Sequence, residues 1–183
     1  MKWKKIILIF GLVLTILFVF RSWIFKLSTN YSPSGERNLI ELSDQKLIQE
    51  IENWKSEKKQ ITIDEAIKFS LKFTAQKLNF STNRGLNSDP NKISDSGLSN
   101  CVGYSRLFNS VSNYIFENTA NLKPYKSSHL IGEITFLGIN LHKLTDDPFW
   151  RDHDYNRIIN LETQKEYFVD PSVLDYFRIT YIQ

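Results

Sequence analysis

The apolar positions of this chain change their period along its length, and each change marks a different kind of element. From Ile6 to Phe20 the residues are apolar in a run broken only by Gly11 and Thr15. Such a run has no polar face, which suits a helix surrounded by lipid. A stretch rich in Ser, Asn, Pro and Gly then runs from Ser28 to Leu42 (STNYSPSGERNLIEL) and reads as a tether. Helical spacing follows. Ser43 can cap a helix with Leu47, Ile48, Ile51 and Trp54 on one face, ending in the charged SEKKQ. Thr62 with Glu65 predicts a capping box, and the helix it starts carries Ile63, Ala66, Ile67, Ser70, Leu71, Thr74 and Leu78 along one side.

Residues 81–100 (STNRGLNSDPNKISDSGLSN) hold few apolar side chains and predict a long loop, a length that tends to be functional inside a compact domain. Ser99 and Asn100 both suit an N-cap. After them Cys101, Tyr104, Leu107, Phe108, Val111, Tyr114 and Ile115 repeat at helical spacing, so Cys101 falls in the first turn on the inward stripe. From about His129 the pattern becomes that of strands. HLIGEITFLGINL is β-branched and aromatic, with Gly132 and Gly138 marking bends or bulges. DYNRIINL and KEYFVD, joined by the polar ETQ, predict a hairpin, and FRITYI predicts a closing strand. Helices first and strands later, without alternation, give an α+β fold in which N-terminal helices pack on an antiparallel sheet.

Composition narrows the classes. The chain has 183 residues, 42% hydrophobic and 14% aromatic, enough apolar material for one folded domain and unlike a disordered chain. The net charge of +3 comes with no dense basic block beyond the N-terminus, so nucleic-acid binding has no support. Lys2, Lys4 and Lys5 precede the apolar run, and Arg21 and Lys26 follow it. Trp3 and Trp23 flank it about 20 residues apart, which is about 30 Å along a straight helix and matches the hydrocarbon thickness of a bilayer. These features predict a single-pass anchor over residues 1–26, a linker over 27–42 and a domain over 43–183 on the extracytoplasmic side. A cleaved signal peptide is the competing reading, but RSWIFKLSTNYS places bulky residues where a cleavage site needs small ones.

Cys101 is the only cysteine, so no disulfide can form within the chain. A lone cysteine is commonly a small buried hydrophobe. At a helix N-terminus, however, unpaired N–H groups and the helix dipole favour its thiolate. A nucleophile also needs a base, and the base needs an orienting partner. His129 opens a strand and His142 ends one, whereas His153 starts a strand whose hairpin partner ends at Asp170. That geometry brings His153 and Asp170 into one neighbourhood, and the flanking Asp152 and Asp154 add to the charge favouring an imidazolium. Asp170 also reads as a turn former before Pro171. No histidine pair has metal-ligand spacing on a helix and no thiolate cluster accompanies them, so neither a metal nor a cofactor is expected.

These residues resemble the motifs of transglutaminase-like cysteine enzymes. Cys101 at the head of a helix with Tyr104 and Ser105 behind it is similar to the family's nucleophile motif. His153 with Tyr155 is similar to its histidine strand, and Asp170-Pro171-Ser172 to its acidic motif. The order Cys, His, Asp also suits that family, and the resemblance covers roughly residues 60–175. The chain departs from the family at Ser99, where glycine is frequent, and at Tyr155, where tryptophan is frequent. The resemblance implies a papain-like core and a membrane-anchored thiol acyltransferase or hydrolase acting on an amide or peptide bond of a protein or peptide substrate. It implies Cys101 as nucleophile, His153 as base and Asp170 as orienting group. A catalytically inactive, membrane-tethered interaction domain of the same fold is the alternative.

Overall fold

The apolar faces written into the helices become the contacts between layers. The computed structural model describes residues 2–93 and 97–183. Among these residues the fold is mixed α+β, with six α-helices and an antiparallel sheet. The helices are α1 (Lys2–Val19), α2 (Arg21–Ser28), α3 (Gln45–Ser56), α4 (Ile63–Lys77), α5 (Cys101–Glu117) and α6 (Pro171–Phe177). The sheet is built from β1 (Thr29–Arg37), β4 (Tyr125–Phe136), β6 (His153–Asn160) and β7 (Glu166–Val169) in that order, with β5 (Ile139–Asn140) folded back on β4. Two short strands, β2 (Asn79–Phe80) just before the expected loop over 81–100 and β3 (Leu98–Ser99) near its end, form a separate parallel pair, and residues 94–96 of that loop lie outside the described residues.

Local signals account for most of these boundaries. Asp44, rather than Ser43, caps α3 by accepting from the N–H groups of Lys46 and Leu47. The Thr62–Glu65 capping box forms in full at α4. Leu47 and Ile51 of α3, Ile67 and Leu71 of α4, and Leu107, Phe108, Val111 and Ile115 of α5 merge into one buried cluster, closed on the sheet side by Ile158 and Val169. A second, smaller cluster lies on the opposite face of the sheet, where Tyr31, Leu130 and Tyr155 meet Val173, Ile179 and Ile182.

Three expectations are corrected. Residues 29–37, read as part of a linker over 27–42, form β1 and pair with β4 along its length. The segment is polar because it is an edge strand: Thr29 and Tyr31 point inward while most of the others face solvent, and Pro33 and Gly35 sit at a register shift that an edge tolerates. FRITYI does not form a strand. Asp170 and Pro171 start α6 instead, which ends at Arg178 in a left-handed conformation, and Ile182 gives the sheet one hydrogen bond, to the Phe168 carbonyl. The expected single helix over 1–26 breaks at Phe20 into α1 and α2, bent by 71°. Among the described residues, no single helix is long and apolar enough to cross a membrane, although the bent pair meets that test together. The break follows from α2 docking on the domain: Arg21 Nε donates to the Phe177 carbonyl at 2.9 Å, and Phe25 packs on Tyr31 with ring centroids 6.4 Å apart.

One glycine sets how closely β1 can approach. A Cβ at Gly132 would collide with the Ser32 carbonyl oxygen and press on the Tyr155 ring at 3.0 Å. Gly132 pairs directly with His153, so this contact also borders the candidate site. Gly132→Ala is expected to destabilise the domain by about 1–3 kcal/mol through overpacking. Chemical denaturation against wild type measures it, and unchanged stability would show that β1 relaxes away from β4 without penalty.

Candidate active site

Cys101 is the first residue of α5, placed there by its neighbour Asn100. The Asn100 side chain accepts from the N–H groups of Val102 and Gly103 at 3.1 and 3.4 Å, capping the helix and leaving the Cys101 N–H outside the cap. Gly103 lets this turn sit tightly on β3, because a Cβ there would overlap the side chains of Ser99 and Ile93. The thiol is free and partly accessible.

His153 begins β6 and carries partners on both sides. Its Nε2–H donates to Asp170 Oδ2 at 2.6 Å, and Cys101 stands close enough to favour the protonated ring. Nε2 being occupied, Nδ1 is the atom that faces the sulfur. The structure thus brings together all three residues singled out from the sequence, and Cys101 and His153 line one cleft.

Asp170 is fully buried and completely engaged. It follows the last rung of the β6–β7 ladder, Asn156 with Val169, and caps α6. Oδ1 accepts the Ser172 hydroxyl at 2.6 Å and the N–H groups of Ser172 and Val173 at 3.0 and 3.3 Å. Oδ2 accepts from His153 and from the Tyr31 hydroxyl, the latter at 3.0 Å. Tyr31 also presents its ring edge to His153, 6.1 Å between centroids, so it braces both members of the pair. Its role was invisible in sequence because β1 was read as a tether. A lone aromatic in a polar run was the only available signal.

The electrostatics favour charge separation. Burial disfavours a protonated His153, but the charge and hydrogen bond of Asp170, joined by Cys101, outweigh it and hold the imidazole well above its ordinary value. Burial likewise works against an ionised Asp170, yet His153, Ser172 and the Val173 N–H hold its carboxyl below the usual range. An imidazolium–carboxylate pair beside the thiol is the result.

A second histidine–aspartate pair shows what a different neighbour does. His129 Nε2–H donates to Asp154 Oδ1 at 2.6 Å, and Arg37 donates to both oxygens of that carboxylate, at 2.5 and 3.3 Å. Burial pushes the His129 imidazole down, and with the Arg37 charge already on Asp154 the ring stays neutral. This overturns the expectation that Asp154 supports a charged His153: successive strand residues face opposite sides of a sheet, and Asp154 faces the side where His129 and Arg37 hold it. His142 lines the cleft, but its Nδ1 is 2.7 Å from the Trp150 carbonyl, which ties the ring to the backbone.

No protein-family model matches the chain, and neither curated proteins nor solved structures give a significant match.

Proposed function

We propose that this chain is a thiol acyltransferase or hydrolase of transglutaminase-like, papain-like architecture, held at a membrane by α1 and α2. The observation that carries this reading is Cys101, at the head of a capped helix, sharing one open cleft with a His153 that is hydrogen-bonded to the buried Asp170. The thiolate of Cys101 attacks the carbonyl carbon of an amide or peptide bond. The oxygen that gains charge lies by the Cys101 N–H, which the Asn100 cap leaves out. As the C–N bond breaks, His153 Nδ1 gives its proton to the departing nitrogen and a thioester remains on the sulfur. His153 then takes a proton from water or an amine, which attacks the thioester and frees Cys101. Asp170 keeps the ring in the tautomer that leaves Nδ1 towards the sulfur, and Tyr31 and Ser172 fix Asp170. The membrane reading rests on α1, whose apolar residues are exposed all round the helix.

Trapping the acyl-enzyme tests the reaction. The full chain mixed with p-nitrophenyl acetate and quenched in acid is expected to gain one acetyl group by intact mass, released by hydroxylamine and absent in Cys101→Ala. Absence of any adduct in the wild-type chain would overturn the proposal.

A further inference from the structure

The cleft that holds Cys101 has a lining unlike that of a groove built for polar backbone. It encloses about 460 Å³, within the range of small-molecule sites. Eight of its fourteen lining residues are aliphatic or aromatic, among them Phe80, Ile134, Leu141, Val173 and Phe177. Of the lining residues themselves, Trp150, Tyr176 and Phe177 are 47%, 58% and 60% exposed. Single exposed apolar residues are ordinary, but several gathered in one cleft mark a surface that meets something apolar.

The position of that surface identifies what it meets. The Leu137 N–H donates to the Ser28 carbonyl at 2.7 Å, Phe136 pairs with Thr29, and Arg21 holds the Phe177 carbonyl. The cleft is therefore tied to α2 through Phe177, and α2 also exposes Trp23 and Leu27 and carries the positive charges of Arg21 and Lys26. Apolar side chains interleaved with cations at the foot of an apolar helix form a surface suited to a bilayer interface.

We infer that the cleft receives the long aliphatic acyl chain of a membrane-embedded substrate, with its carbonyl carbon delivered to Cys101. This rests on the acyl-transfer reading above and names its donor. The thiolate displaces the group attached to the acyl carbonyl, the leaving atom takes the proton from His153, and the acyl chain stays in the cleft as a thioester. No oxidant or further reactant is required.

The test compares p-nitrophenyl esters on the full chain reconstituted in phosphatidylcholine vesicles. Acetate reports the thiol chemistry, hexanoate the cleft, dodecanoate the chain drawn from the bilayer, and phenylpropionate an aromatic side chain as alternative occupant. Cys101 is expected to be acylated by hexanoate and dodecanoate at least about tenfold faster than by acetate, and Phe177→Asp is expected to cut both ratios by at least about tenfold. Acetylation with no preference for longer chains, a preference for phenylpropionate over hexanoate, or ratios untouched by Phe177→Asp overturns the acyl-chain site while leaving the thiol reaction standing. A preference for hexanoate with no reaction of vesicle-borne dodecanoate overturns the membrane as source. No adduct from any ester overturns both readings.

Discussion

Asp170→Ala is expected to destabilise the domain by about 3–5 kcal/mol, because it leaves a charged, largely buried His153 without its partner and removes a helix cap. Asp170 is completely buried and accepts from Tyr31, His153, Ser172 and Val173, so the variant also strands the Tyr31 hydroxyl. For a chain of this size the loss corresponds to a fall in Tm of about 6–20 °C. Its pH dependence has a defined sign. Asp170 has its carboxyl held below 3.8, so its contribution is present above that pH and is lost as pH falls through the lower folded value. His153 has its imidazole held well above 6.5, so its contribution is full below 6.5 and is lost as pH rises through the folded value. The stability gap between wild type and Asp170→Ala is therefore widest between about pH 4 and 6.5 and narrows on either side. His129, pushed down by burial, works the other way as pH falls, but both proteins contain it and it cancels in the difference. Denaturation across pH 3 to 9 checks this, and a gap that does not vary with pH would mean that Asp170 and His153 are not a charged pair.

His153→Ala is expected to carry the largest functional loss, at least about a thousandfold in kcat/KM for acyl transfer, because one group serves as proton donor to the leaving atom and proton acceptor from the attacking one. The substitution also leaves the buried Asp170 carboxylate without its counter-charge, so rates are compared on protein shown to be folded. The His153 side chain is 16% exposed at the wall of the cleft, and its removal leaves Asp170 with its contacts to Tyr31, Ser172 and Val173. Steady-state rates with p-nitrophenyl acetate measure the effect. A variant retaining a tenth or more of wild-type activity would exclude His153 from the proton transfers.

The three candidate residues were legible because each stands at an element boundary with a strong local signal. Asn100 announces the start of α5 just before Cys101, Pro171 marks the turn at Asp170 after the second hairpin strand, and the polar ETQ turn fixes the hairpin that begins at His153. Their convergence needed only the length of that hairpin and the placement of α5 against the sheet. The rest was hidden for identifiable reasons. Tyr31 lies on an edge strand with little side-chain burial, so composition pointed to a tether while backbone pairing with β4 decided the outcome. The break at Phe20 depends on Arg21 reaching the Phe177 carbonyl, a contact between the two ends of the chain that no local pattern encodes. FRITYI is strand-like by propensity, yet the capped α6 upstream leaves it after the sheet is complete, with Ile179 and Ile182 used as plugs for the second cluster. Sequence adjacency also misled at Asp154, which is next to His153 in the chain and on the opposite face of the sheet in space, where Arg37 claims it.

The central claim is that His153 activates the sulfur of Cys101, and the rate at which iodoacetamide alkylates Cys101 reads that activation without any substrate. At pH 7 the account predicts that the second-order rate constant for the full chain falls at least about tenfold in His153→Ala, because the imidazolium that holds the thiolate is gone. Equal rates in the two proteins across the pH range would contradict it.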